Sequence, residues 1–153
     1  MAQSSASVFV PAPPRMVWAA FTEPQRLLQW LPPAPMRGEI HRWEGWVGGG
    51  YEMSLHYPAD QAGAPGKTDA LEDRVIVHFT EMHAPHRLVE VVAFVTDDPA
   101  LKGEMTITTT IDPADGGSTV TMDFDNLPSG LRPEDNDEGA RISLAQLAAY
   151  LAD

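Results

Sequence analysis

Residues 133–151 read PEDNDEGARISLAQLAAYL and carry the clearest helical pattern in the chain. Pro133 suits the first turn of a helix, where a backbone N–H has no partner within the helix. The carboxylates that follow lie where the positive end of the helix dipole favours them: Glu134, Asp135, Asp137 and Glu138. Apolar residues then recur at helical spacing, at Leu144, Leu147, Ala148 and Leu151. The pattern predicts a long C-terminal helix that buries one apolar side.

The segment before this helix has an apolar period of two, which is typical of half-buried strands. The alternating side chains are Tyr51, Met53, Leu55, Tyr57, Val75, Val77, Phe79, Met105, Ile107, Ile111, Val120, Met122 and Phe124. Turn residues stand at 48–50, 84–85, 97–99 and 115–117. Residues 58–67 are rich in Gly, Ala and Pro and are predicted to form a mobile loop. About six consecutive antiparallel strands are therefore expected.

The N-terminal part predicts one strand and two short helices. Residues 4–10 end in apolar positions and are followed by prolines, which stop a strand. A helix should then carry Val17, Trp18 and Phe21 on one side. Residues 22–25 have the spacing of a capping box with Thr22 as N-cap, so a second helix should run to Leu31.

This order predicts an α+β fold: a curved antiparallel sheet wrapped around the long C-terminal helix, with two short helices after the first strand. A meander of this length has to cover one apolar face, and the C-terminal stripe is the long apolar surface available to it. At 153 residues the chain is expected to form one domain over residues 1–153.

Composition excludes several classes of function. The formal charge of −12 argues against nucleic-acid binding and against adsorption to anionic membranes. The chain has no cysteine for a disulfide, a thiolate metal site or a nucleophile. The N-terminus lacks a secretion signal, and no stretch reaches the roughly 18 apolar residues that would span a bilayer. We therefore expect a cytoplasmic protein without membrane insertion.

Short stretches along nearly the whole chain, in a fixed order, resemble one superfamily. They are residues 11–13, 17–22, Pro24, Trp30, 49–51, 79–81, 85–89, 135–139, 143–144 and 147–148. Together they resemble the START-like, or SRPBCC, helix-grip superfamily that includes the birch-pollen allergen. Within it, the chain is most similar to the branch named for the C-terminal domain of the heat-shock-protein-90 ATPase activator.

The resemblance implies the same helix-grip fold and three kinds of function. Superfamily members bind lipids or polyketides, act as cyclases, or serve as co-chaperones in the stress response. No catalytic motif is shared among them, so the resemblance implies no catalytic residue for this chain.

The strand alternation predicts an apolar cavity between sheet and helix, because a strongly curved sheet often leaves unfilled space. The candidate ligand-binding residues are Trp30, Trp43, Met53, Leu55, Val77, Phe79, Val91, Met105, Ile107, Met122, Arg141 and Leu144. The competing interpretation is that the same residues fill the core, since methionine fills gaps as readily as it contacts ligands.

Arg141 is the polar candidate on this surface, because it lies three residues before Leu144 in the predicted stripe. Three roles are open for its guanidinium. It could extend to the rim of the cavity, pair with Asp137 one turn back, or bind the acid group of a ligand.

No motif for metal, phosphate or nucleophilic chemistry is found, and no cofactor is expected. His83 and His86 flank a proline turn without a third ligand, and His78 should face outward. Residues 123–126 resemble the start of a calcium loop, but Pro128 occupies the position of its glycine. Residues 45–50 lack the Lys and Ser/Thr of a phosphate loop, and no Gly-x-Ser-x-Gly elbow occurs.

Three hypotheses for function follow, in order of preference. The first is a module that binds a small hydrophobic or amphipathic molecule, as a monomer or homodimer, with Arg141 and Thr109 as the only polar groups of the cavity. The second is a cyclase-type enzyme, which requires an ionisable group inside the cavity. The third is a domain that docks on a chaperone or another protein, which predicts a filled interior and a contiguous exposed apolar patch.

Overall fold

A computed structural model describes residues 2–58 and 72–152. The strands are β1 (Gln3–Val10), β2 (Arg37–Glu44), β3 (Gly50–His56), β4 (Glu72–His83), β5 (Arg87–Phe94), β6 (Met105–Ala114) and β7 (Gly117–Asp125). The helices are α1 (Pro14–Thr22), α2 (Pro24–Trp30) and α3 (Pro133–Tyr150). Apart from Pro58, the loop predicted at residues 58–67 lies outside the described residues.

All seven strands belong to one antiparallel sheet in the order β1-β7-β6-β5-β4-β3-β2. Strands β2 to β7 form a continuous meander, and β1 extends the sheet beyond β7, with which it pairs along its whole length. Bulges interrupt the register near His41 in β2 and near Thr80 in β4, and such bulges increase strand bending and twist. The predicted helix-grip α+β fold is confirmed.

Helix α3 begins at Pro133, as predicted, with Glu134 and Asp135 in its first turn. It makes its close backbone contacts with β1 and with α2. Its buried residues are Ala140, Ser143, Leu144 and Leu147, and Leu151 is buried just beyond its end. The buried side is therefore rotated relative to the predicted stripe, since Ala148 is half-buried and Arg141 is exposed.

Hydrogen bonds join α3 to the end of α2. Ser143 Oγ donates to the Leu31 carbonyl at 2.6 Å. Gln146 Nε2 donates to the carbonyls of Trp30 at 2.6 Å and Pro32 at 2.9 Å. These bonds satisfy carbonyls left open at the C-terminal end of α2, so α2 and α3 are held together as one layer.

The start of α2 differs from the prediction. Thr22 is the last residue of α1, and its hydroxyl donates to the Trp18 carbonyl at 2.8 Å instead of capping α2. The N-cap residue of α2 is Glu23, without a side-chain cap, and Pro24 is the first helical residue. Only Glu23 separates the two helices, so Thr22 still belongs to α1. Within a helix, a threonine hydroxyl often donates to the carbonyl four residues earlier.

Candidate ligand-binding site

A cavity of about 240 Å³ lies between the concave face of the sheet and the helices. The sheet contributes Tyr51, Met53, Leu55, Asp73, Val75, Val77, Glu90, Val92, Phe94, Met105, Ile107, Met122 and Phe124. The helical side contributes Phe21, Leu27, Leu31, Pro33, Leu131, Asp135, Asn136, Gly139, Ala140 and Ser143. Helix α3 packs against β1 and α2, so it leaves part of the concave face of β3 to β6 uncovered. The cavity occupies this space.

Half of the predicted site residues line the cavity: Met53, Leu55, Val77, Met105, Ile107 and Met122. All six lie on strands and follow the period-two alternation that selected them. Their contact with a ligand stays a prediction.

Three predicted residues are instead packed within the core. Trp30, Phe79 and Leu144 are almost completely buried and do not line the cavity. The Trp30 indole donates to the Ala20 carbonyl at 3.0 Å and meets Phe21 edge to face, so it fastens α2 to α1. For these three side chains the competing interpretation holds, because they fill the core.

Trp43 packs beside Tyr51 on the same face of the sheet but is not one of the residues that line the cavity. Its ring stacks on Tyr51 at 4.9 Å between centroids and meets Phe79 edge to face at 5.7 Å. The prediction was wrong in placing Trp43 in the cavity, but its stacking fixes the ring of Tyr51, which does line it.

Val91 lies on the opposite face of the sheet from the predicted one. Glu90 and Val92 point into the cavity, so the residue between them faces outward and is half-buried there. Both faces of β5 carry apolar residues, so its composition does not reveal which face is inside.

Arg141 is on the outside of α3, contrary to its predicted place on the packed side. Its side chain is 64% exposed, and Nη2 lies 3.5 Å from Asp137 Oδ2 one turn earlier. Each residue turns a helix by about 100°, which places Arg141 roughly opposite the cavity-lining Gly139 and Ser143. Of the three roles considered, the structure places the guanidinium beside Asp137.

Thr109, the other polar residue expected in the cavity, is fully buried but does not line it. Its hydroxyl oxygen has no hydrogen-bond partner among the described residues. It faces the core from β6, opposite Leu88 on β5 and Met122 on β7.

Glu90 is a polar side chain of the cavity that the sequence pattern did not single out as a site residue. It is 6% exposed, and Tyr51, 5% exposed, donates its hydroxyl to Glu90 Oε2 at a long 3.5 Å. Burial raises the pKa of Glu90 to about 7, and the Tyr51 hydrogen bond opposes this shift. Burial and the neighbouring carboxyl raise the pKa of Tyr51 well above its usual range, so Tyr51 acts as a donor. The signal in the sequence that could have identified Glu90 is its single charge within the apolar run LVEVVAF.

A second carboxyl, Asp73, closes the cavity near the start of β4. It is 2% exposed and accepts a hydrogen bond from the Tyr57 hydroxyl at 2.9 Å. Burial and this carboxyl raise the pKa of Tyr57 above its usual range. Asp73 therefore sits in a hydrogen-bonded setting, which Glu90 largely lacks.

Helix α3 adds three further polar residues, Asp135, Asn136 and Ser143. The Asn136 side-chain nitrogen is buried and has no hydrogen-bond partner among the described residues. The lining thus contains three carboxyls, one amide and the hydroxyls of Tyr51 and Ser143, but no Lys, Arg or His in the described part of the chain. The three carboxyls favour hydrogen-bond donors and positive charge, whereas the unpaired amide nitrogen of Asn136 favours an acceptor.

Metal binding has no structural basis among the described residues, since no group of three or more His, Asp or Glu side chains is arranged to hold an ion. None of the helices in the described ranges has the length and hydropathy that crossing a bilayer requires. His78 is exposed, as predicted.

Solved structures share this architecture closely. A protein from Chromobacterium violaceum has 26% sequence identity and a TM-score of 0.86, over 99% of this chain and 97% of that one. A protein from Mycobacterium smegmatis has 18% identity and a TM-score of 0.76, over 98% and 90%. A protein from Arthrobacter aurescens has 21% identity and a TM-score of 0.77, over 98% and 86%.

The curved sheet, the two short helices and the C-terminal helix define a helix-grip protein of the START-like class. The model of one family within it, Activator of Hsp90 ATPase homolog 1-like protein, matches residues 11–152, and the chain belongs to this family. The predicted superfamily and branch are confirmed. No curated protein sequence matched the chain. Family and fold together are those of a ligand-binding or co-chaperone-like domain.

Proposed function

We propose that this domain binds a small, largely apolar molecule in the cavity between the sheet and α3. The observation that carries the proposal is the cavity itself, with apolar walls and a buried carboxyl, Glu90, that has one long hydrogen bond. Buried polar groups usually have good partners, and a partly satisfied one in an open space favours a ligand that completes it.

The volume of about 240 Å³ restricts the size of the ligand. Pockets for drug-sized molecules are usually about 300–1,000 Å³, and a dry cavity of about 150 Å³ accommodates benzene. The cavity therefore suits one ring with a short chain, or an aliphatic molecule of similar bulk.

The docking hypothesis has less support. Its prediction was a filled interior and a contiguous exposed apolar patch. Among the described residues, the large exposed apolar side chains instead belong to several elements and loops, with one adjacent pair at the β2–β3 turn: Phe9, Met16, Trp46, Val47, Val95, Ile142 and Tyr150. Single exposed apolar residues are normal on any soluble surface.

An enzyme is the second candidate, and Glu90 is the observation that favours it. The criterion for an enzyme was an ionisable group inside the cavity, and Glu90 meets it. Its pKa of about 7 is where a carboxyl both donates and accepts protons efficiently near neutral pH. The reaction would be proton transfer to or from an apolar substrate, as in a cyclisation.

The binding proposal can be tested by closing the cavity at Gly139. A Cβ built at this position meets no atom within 4 Å, so a longer side chain has room to extend into the cavity. We expect small aromatic compounds to raise the melting temperature of the wild type with concentration, as mass action requires. Gly139→Leu should abolish this rise.

Gly139→Ala is the matched control, because it gains the same helix propensity, about 0.5–1 kcal/mol, but adds only a methyl group. It should keep the ligand response. Met105→Trp provides a second filled variant from the opposite wall, with Met16→Trp on the surface of α1 as its control. Equal ligand responses in filled and control variants would contradict binding in this cavity.

A further inference from the structure

Glu90 is a buried carboxyl without a positive partner. Its register neighbours on the flanking strands are apolar, Phe79 on β4 and Ile107 on β6. Tyr51, on β3 beyond the neighbouring strand β4, makes the only hydrogen bond to its side chain within the described residues, at 3.5 Å. A carboxylate accepts several hydrogen bonds, and a buried one without compensation is costly, so this group is poised for a donor from outside the chain.

The other charged groups of the cavity have the same sign. Asp73 and Asp135 are its remaining charged lining residues, and the described lining contains no basic side chain. A lining whose charged residues are all acidic disfavours an anionic ligand and favours a cation. The net charge of −12 for the whole chain extends the same preference beyond the cavity.

Aromatic side chains complete the surroundings. Phe21, Tyr51, Phe94 and Phe124 all line the cavity that contains Glu90. The faces of aromatic rings attract organic cations, and cages of aromatic residues with a carboxylate are suited to ammonium groups. An apolar body and a positive group therefore both find complementary surface in one space.

We propose that the ligand is an organic amine, with its protonated amino group beside Glu90 and Tyr51 and its apolar body among the aromatic and methionine side chains. This inference rests on the proposed function, since it requires that the cavity binds a small molecule. It replaces the acid ligand that an inward Arg141 would have implied.

Three probes with the same ring and different polar groups test the inference: 2-phenylethylamine, 2-phenylethanol and phenylacetate. Isothermal titration calorimetry on the wild type should give an affinity at least tenfold higher for the amine than for the alcohol, with the acid weakest. An alcohol or acid that binds as tightly as the amine would overturn the amine assignment. This comparison needs no variant, so it stands even if a substitution in the cavity impairs folding.

Glu90→Gln then identifies the group that recognises the amine, because it keeps the shape of the side chain and removes its charge. The amine should lose at least tenfold in affinity, and the alcohol less than threefold. Glu104→Gln, an exposed position before β6, is the control and should leave both unchanged. An amine affinity that Glu90→Gln does not lower would contradict the role of Glu90.

The two proposals fail in different ways. If only uncharged aromatic compounds bind, and Gly139→Leu abolishes their binding, the cavity is a ligand site and the amine inference is wrong. If no compound responds to closing the cavity at Gly139, the proposed function itself is wrong.

Discussion

Glu90 shows how one residue can reverse the usual pattern of a strand. On β5 the outward-facing Val89 and Val91 are apolar, whereas the inward Glu90 is charged. A carboxyl in this position destabilises the folded state once it ionises, because the interior solvates charge poorly. The consequence of this ionisation for stability is measurable.

Stability should fall with rising pH because of Glu90. Its pKa is raised from 4.5 to about 7 on folding, so across this window the folded state holds a proton that the unfolded state has lost. The free energy of unfolding therefore declines between about pH 4.5 and 7, by an amount on the order of 3 kcal/mol in total. Below this window the contribution is fully present, and above it the loss is complete.

Urea unfolding of the wild type and Glu90→Gln at pH 5 and pH 8 measures this contribution. The stability of the variant relative to the wild type should rise by a few kcal/mol from pH 5 to pH 8. The control Glu104→Gln should follow the wild-type profile. Parallel profiles for Glu90→Gln and the wild type would show that Glu90 ionises normally in the folded state.

Arg141 differs from Glu90 in the opposite way: the sequence pattern indicated a functional role, but the structure places its side chain in solvent. Its ion pair with Asp137 is solvent-accessible, so Arg141→Ala should change stability by less than about 0.5 kcal/mol. Ligand-induced shifts in melting temperature should not change either. A loss of affinity for acidic ligands in this variant would return Arg141 to the site.

At the scale of the elements, α3 has two sides with different tasks. Leu144 and Leu147 pack within the core, while Asn136, Gly139, Ala140 and Ser143 form a wall of the cavity. The small residues on the cavity side leave space that leucines in the same positions would fill. The helix thus both stabilises the fold and leaves the interior open.

Leu144→Ala should cost about 2–5 kcal/mol, the usual range for a buried leucine. Ile142→Ala on the same helix is the control, because Ile142 is substantially exposed and should cost much less. Both values come from urea unfolding at one pH. A cost below about 0.5 kcal/mol for Leu144→Ala would mean that α3 is peripheral to the core.

At the scale of the whole molecule, the cavity results from the position of one helix against a curved sheet. The seven strands present a concave face wider than one helix covers, and α3 approaches it from the β1 side. Helices α1 and α2 then cover part of the remainder. Full closure would need larger side chains at Gly139 and Ala140, and their absence leaves the space described here.

Much of this architecture could be predicted from local patterns. The strand alternation, the turns and the helical stripe after Pro133 are short-range features, and each is dictated by the periodicity of backbone and side chains. For the same reason the predicted strand residues Met53, Leu55, Val77, Met105, Ile107 and Met122 all reached the cavity.

The sequence by itself therefore determined the elements, their order and the inward face of most strands. Only the tertiary structure decided how far α3 is rotated, which placed Arg141 outside and Gly139 inside, and which face of the doubly apolar β5 lies inward. These outcomes depend on contacts between residues far apart in the chain, such as Ser143 with Leu31 and Tyr51 with Glu90. Periodicity reports which residues share a side of an element, whereas packing between elements selects the side that is buried.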